Sequence, residues 1–189
     1  MVPIMNVLLI GAPGSGKGTQ GDRLSQRLGL EHIAAGDRLR AEATAGTPLG
    51  KEIATYLDRG ELVPDQLVID LIMPAVLAAA QRNGYILEGF PRSVGQATRA
   101  LAEQAGTGPD VVIFLDAPRD VLIERTLARA HAEGRSDDAE DVVTRRLRVF
   151  DEVTRPLVDY YRSQGLLHTV DASQNVDDVT KDILSALEP

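Results

Sequence analysis

The chain has 189 residues, 43% of them hydrophobic and 25% charged, enough for one sizeable core and ordinary for a globular protein. A formal net charge of −8 weighs against nonspecific binding to nucleic acid, and the absence of cysteine excludes disulfides and thiolate metal sites, a structural zinc among them. The N-terminus has no basic lead-in or cleavage signature, and no apolar run nears the ~20 residues of a membrane helix, so no membrane association and a cytoplasmic location are expected.

In chain order, "MNVLLIG" (5–11) is a continuous apolar run stopped by glycine, the pattern of a strand buried on both faces. A helix is predicted after it, from about residue 16 to residue 28. Residues 36–63 read as two small polar helices broken at "AGTPLG" and closing on "GELVPD". In "DQLVIDLIMPAVLAAA" (65–80), Val68, Leu71, Ile72, Ala75, Val76 and Ala79 recur at helical intervals, and Pro74 should bend that helix. "YILEGF" (85–90) and "VVIFLD" (111–116) repeat the strand pattern, with "LLHTVDA" (166–172) a weaker instance. "HAEGRSDD" (131–138) is too polar to bury and reads as an exposed loop between two long helices. Val176, Val179, Ile183 and Leu187 mark a last amphipathic helix. Alternating strands and helices predict an α/β fold with a parallel sheet covered on both faces, one domain (1–189) carrying two outgrowths.

The most informative stretch is "GAPGSGKGTQ" (11–20), which nearly spells the phosphate-gripping loop G-x-x-x-x-G-K-[ST]. In that loop the hydroxyl residue holds Mg²⁺, yet here Gly18 follows Lys17 and the hydroxyl arrives one place late, at Thr19. Gly11, Gly14 and Gly16 let backbone amides approach an anion, the following helix offers its positive end, and Lys17 adds a full charge. A strand before the loop and a helix after it make phosphate its expected ligand. Arginine supplies 17 of the 20 basic residues, the side chain whose planar fork suits phosphate. His32, His131 and His168 are isolated, with no metal-ligand spacing between them.

With Gly-Thr-Gln after its lysine, "GAPGSGKGTQ" resembles the loop of the nucleoside monophosphate kinases, the adenylate kinase family above all. In that family Gly18 is the expected residue. The resemblance spans nearly the whole chain: "GDRLR" (36–40), "GELVPD" (60–65), "GFPR" (89–92) with Gln96, "RTLAR" (125–129) and "GRSDD" (134–138) follow in the family's order and spacing. It implies a P-loop three-layer sandwich on a five-stranded parallel sheet, a helical nucleoside-monophosphate-binding insertion at 34–63 and a short lid at 129–139. Compact-lid relatives imply a monomer.

The implied reaction is phosphoryl transfer from ATP to AMP, giving two ADP. The attacking phosphate has its second pKa near ~6 and is already ionised at neutral pH, so no general base is needed. The site must instead bring two polyanions together and neutralise the moving phosphoryl group. By the resemblance, Gly14, Ser15, Gly16, Lys17, Gly18, Thr19, Arg129 and Gln174 bind ATP. Ala35, Arg40, Glu61, Leu62, Val63, Gly89, Phe90, Pro91, Arg92 and Gln96 hold AMP. Lys17, Arg92, Arg125, Arg135 and Arg146 form the catalytic set, with Arg135 and Arg146 also reaching the AMP phosphate. Mg²⁺ would be held mostly through water, at Glu88 and Thr19; the family usually has aspartate where Glu88 stands. Asp137 and Asp138 would tie the lid to arginines, and Gly134 is its flexible point. Arg23, Arg27, Arg59, Arg82, Arg99, Arg145, Arg148 and Arg162 match no motif and are expected on the surface.

The base-reading positions depart from the pattern. Ala35 replaces a threonine usual in adenylate kinases, as it does in the pyrimidine monophosphate kinases. Gln96 and the apolar pair Leu62 and Val63 favour adenine instead. UMP or CMP as acceptor stays open. So do a small-metabolite kinase of the shikimate or gluconate type, using Asp37 as a base, and a phosphate-binding module without catalysis. Asp37 reads more simply as a helix N-cap.

Overall fold

The computed structural model describes residues 5–102, 107–133 and 140–188. Its sheet consists of β1 (Met5–Gly11), β2 (Glu31–Ala34), β3 (Gly84–Glu88), β4 (Val111–Asp116) and β5 (Leu167–Asp171). The spatial order is β2-β3-β1-β4-β5, and every pairing is parallel. Each strand therefore needs a crossover, and the crossovers are helices.

Alternation along β1 explains the layering. Val7 and Leu9 face one side, where they pack with Leu24 of α1 (Lys17–Leu28) and with Val179 and Ile183 of α9 (Val176–Leu187). Leu8 and Ile10 face the other side, in a larger core. That core includes Val68, Ile72 and Val76 of α4 (Asp65–Ala80) and Leu122 of α6 (Arg119–Glu133). Val143 and Leu147 of α7 (Glu140–Val149) and Leu157 of α8 (Pro156–Ser163) complete it. The sheet is thus covered on both faces, as continuous apolar strands require.

Two helices, α2 (Ala35–Thr44) and α3 (Pro48–Asp58), separate β2 from α4. Thr47 caps α3 by accepting from the Gly50 amide, and Pro48 occupies its first turn, so the break in "AGTPLG" is built from helix-start chemistry. A single helical turn, α5 (Val94–Gln96), runs on as a π-helical stretch, Ala97–Ala102. A second π-helical stretch, Phe150–Thr154, follows α7.

Three expectations change. The edge strand β2 has only four residues, too few to show a period in the sequence. His131–Glu133 belong to α6 rather than to a loop. Pro74 lies inside α4, as the sequence placed it. Asp37 is in the first turn of α2, whose N-cap is Ala34, and it pairs with Arg40 instead of capping. Among the described residues, no helix is long and apolar enough to cross a membrane.

Candidate active site

The register of β1 against β3 pairs Leu9 with Glu88, and against β4 it pairs Gly11 with Leu115. The C-terminal ends of three adjacent strands are thereby level, with the phosphate loop arching above them. This is the edge at which open parallel sheets take their ligands. Gly14 (φ +83°) and Gly16 (φ +89°) turn the loop through the left-handed region. A β-carbon at Gly14 would also strike the Leu122 carbonyl and the Thr126 hydroxyl, so the loop lies directly on α6. Gly16 is the N-cap of α1, which leaves the first amides of that helix facing the cleft.

Lys17 folds over this loop. Its Nζ donates to the carbonyls of Gly11 (2.7 Å) and Ala12 (2.9 Å) and, at 3.4 Å, to Ser15 Oγ. Burial pushes its pKa down from 10.5 to about 8; Glu88 opposes that shift, while Arg92, Arg146 and Arg129 reinforce it. Glu88, nearly buried at the end of β3, is contacted from the far side by His32. His32 Nε2 stands 3.4 Å from Glu88 Oε1, an ion-pair distance without hydrogen-bond geometry, and Nδ1 lies 2.8 Å from Asp22 Oδ1. Burial alone would lower the His32 pKa; Glu88 and Asp22 outweigh it and hold the ring above its usual 6.5.

Above the loop is a cleft of about 480 Å³. Its lining brings together Gly14, Gly16, Lys17, Gly18, Thr19, Glu88, Gly89 and Pro91 with Arg23 of α1 and four arginines from four further segments. These are Arg40 of α2, Arg92 after β3, Arg129 of α6 and Arg146 of α7. A smaller recess opens beside it, lined by Leu39, Leu57, Glu61, Leu62, Val63, Val68, Gly89, Arg92 and Gln96. Arg92 touches both spaces; its Nε donates to the Gly89 carbonyl at 2.9 Å, which holds the side chain across the loop.

Other expected residues stand elsewhere. Arg125, expected in the catalytic set, is not in the cleft lining. Its guanidinium donates to the carbonyls of Ala172 (2.5 Å), Ser173 (3.2 Å) and Gln174 (3.2 Å), clamping the segment after β5. The Gln174 side chain turns away, donating to the Asp171 carbonyl and to Asp182. Ala35, Phe90 and Ser15 are buried beside the cleft rather than on its wall. Arg135, Gly134, Asp137 and Asp138 lie outside the described residues.

Several cleft residues went unnoticed in the sequence. Arg23, expected on the surface, lines the cleft while bonded to Asp177 and Thr180. Asp22 does so too. Both follow Thr19 at helical spacing, so counting turns onward from the loop would have found them. Val149, Phe150 and Thr154 lie in or next to the second π-helical stretch, where a 3.6-residue period gives no guidance.

A family model described as adenylate kinase matches residues 9–166. An adenylate kinase of Phocaeicola vulgatus is 39% identical over 188 residues, 98% of this chain and 99% of that one. One from Kocuria rhizophila is 42% identical over 184 residues, covering 96% and 98% of the two chains. Adenylate kinase 1 of a Nostoc species is 42% identical over 183 residues, covering 96% and 97%. The chain belongs to the adenylate kinase family. It is a nucleoside monophosphate kinase, a phosphotransferase, and its five-stranded parallel sheet is the family's P-loop fold.

Adenylate kinases use Mg²⁺ with ATP, and the donor set here suits that ion. Mg²⁺ takes hard oxygen ligands and keeps several waters. Thr19, Asp22 and Glu88 place a hydroxyl and two carboxylates on the cleft wall beside Lys17. Among the described residues, no group of three or more His, Asp or Glu side chains is placed to enclose a metal.

Proposed function

We propose that this protein transfers the terminal phosphoryl group of ATP to AMP, reversibly, giving two ADP, and that its cleft works as a cationic cage for the two phosphate chains. One observation carries the reading: Lys17, Arg40, Arg92, Arg129 and Arg146 converge on one cleft in a protein whose net charge is −8. Excess positive charge gathered there, against the sign of the whole molecule, suits a polyanionic ligand.

The loop amides and Lys17 hold the ATP phosphates, with Thr19 and Arg129 beside them. Arg40 and Arg92 hold the acceptor phosphate, and Arg146, joined by Arg135, spans the group in transit. Because the acceptor oxygen arrives ionised, these residues need only align it and absorb charge that builds up during transfer. Glu88 and Thr19 would hold Mg²⁺ through its water shell, and the ion supplies further charge neutralisation on the donor phosphates. The acceptor base enters the recess, where Leu39, Leu57, Leu62, Val63 and Val68 offer apolar walls and Gln96 an amide. Residues 34–63 act as the acceptor-binding arm and residues 129–139 as the lid. The same reading makes the protein a cytoplasmic monomer.

A hydroxyl-bearing small metabolite would need a carboxylate base, and Asp37, the candidate for that role, is engaged by Arg40. A coupled assay for ADP with Mg·ATP and AMP, run beside UMP and CMP, tests the reading. The expected result is ADP formation with the highest kcat/KM for AMP. Preference for a pyrimidine acceptor contradicts the base assignment, and no ADP at micromolar enzyme contradicts catalysis altogether.

A further inference from the structure

Gln96 is almost wholly buried, yet it lines the recess beside the cleft. Its amide is held at both ends. Oε1 accepts the backbone N–H of Arg92 at 2.7 Å, and Nε2 donates to Asp65 Oδ1 at 2.7 Å. The other Asp65 oxygen accepts from Arg99, which fixes the carboxylate in turn. An amide side chain can ordinarily flip to suit its ligand. This one cannot, because a backbone N–H only donates and a carboxylate only accepts. Turning the amide over would set NH₂ against N–H and oxygen against carboxylate, losing both bonds at a buried position.

We propose that Asp65 is a specificity-determining positioning residue: by locking the Gln96 amide, it restricts the acceptor to bases with an amidine edge. The proposal rests on the acceptor reading above. One Oε1 lone pair and one Nε2 proton remain for the recess. Adenine offers a ring-nitrogen acceptor beside an amino donor and satisfies both. Guanine and hypoxanthine offer a ring N–H beside a carbonyl, the reversed pattern. With the phosphate anchored at Arg40 and Arg92, the base cannot turn over to correct the match. An unpaired buried donor and acceptor would then be left on each partner.

The test is kcat/KM for AMP and for IMP, with Mg·ATP as donor, in the wild type, Asp65→Ala, Gln96→Ala and the double variant. The wild type is expected to favour AMP by about 100-fold or more. Asp65→Ala narrows the ratio by about tenfold, chiefly through the acceptor KM, while the KM for ATP stays put. In the Gln96→Ala background, adding Asp65→Ala changes the ratio no further. Asp65→Asn, nearly isosteric and able to present either amide end, gives the same direction if the alanine variant does not fold. An unchanged ratio, an equal loss for both acceptors, or a further narrowing without Gln96 overturns the proposal. A wild type that phosphorylates AMP and IMP equally overturns it as well. A wild type inactive on every nucleoside monophosphate fails the acceptor reading itself, and the lock falls with it.

Discussion

Lys17 meets two opposed demands, being buried among guanidinium groups yet required as an ammonium when phosphate arrives. With a pKa of about 8, it is already protonated below that pH, so Lys17 should impose no slope on ATP affinity there. Above pH 8, binding must take up a proton, and affinity should fall by up to about tenfold per pH unit. Calorimetric Kd values for ATP on either side of pH 8 check this; Lys17→Met should bind more weakly and lose the slope. A level profile in the wild type, or a slope that survives in Lys17→Met, contradicts the role. Arg92→Lys keeps a charge but loses the planar fork, and kcat should drop by a factor of ~10². Near-normal turnover would remove Arg92 from the transfer step. Gly18 shows what the sequence could and could not disclose at this scale. The missing hydroxyl was plain in "GKGT", but its consequence is spatial: a β-carbon there would stand 3.3 Å from Glu88 Oε1. Glycine therefore leaves room for the longer carboxylate. Likewise His32 looked inert in the sequence because its contacts, Asp22 and Glu88, come from α1 and β3.

Elements were legible where a single physical signal dominated. The apolar runs of β1, β3 and β4 and the stripe on α4 fall where the pattern put them, since burial on both faces or on one stripe leaves a regular trace. β2 escaped because four residues carry too little pattern, and the π-helical stretches because they break the helical period. Arg125 marks the limit of motif reading. "RTLAR" puts Arg125 and Arg129 one turn apart on α6, yet Arg129 lines the cleft while Arg125 clamps the carbonyls of Ala172, Ser173 and Gln174. Removing it leaves three acceptors without their donor. Arg125→Ala should therefore lower unfolding free energy by about 2 kcal/mol in denaturant titration. Its loss in kcat should be smaller than that of Arg92→Lys. Unchanged stability with a collapse in kcat would return Arg125 to the transfer chemistry.

At the scale of the whole molecule, an acidic protein concentrates its arginines over a glycine-rich loop from segments far apart in sequence. The arm and the C-terminal half already touch: Arg145 donates to the Arg59 carbonyl at 3.1 Å, and Gly60 lies against Val142 and Arg146. The motifs foretold four of the arginines that gather, Arg40, Arg92, Arg129 and Arg146, but not Arg23; nor did they foretell the wall between them, which only the three-dimensional crossing of α2, α6 and α7 defines. The central claim is that this cage holds two nucleotides at once. Its most direct test is the affinity of a bisubstrate mimic, two adenosines joined through a chain of phosphates, set beside that of ATP alone. The account predicts binding at least about 100-fold tighter than ATP, weakened by Arg40→Ala and Arg129→Ala alike. An affinity no better than that of ATP, or one indifferent to either arginine, would contradict it.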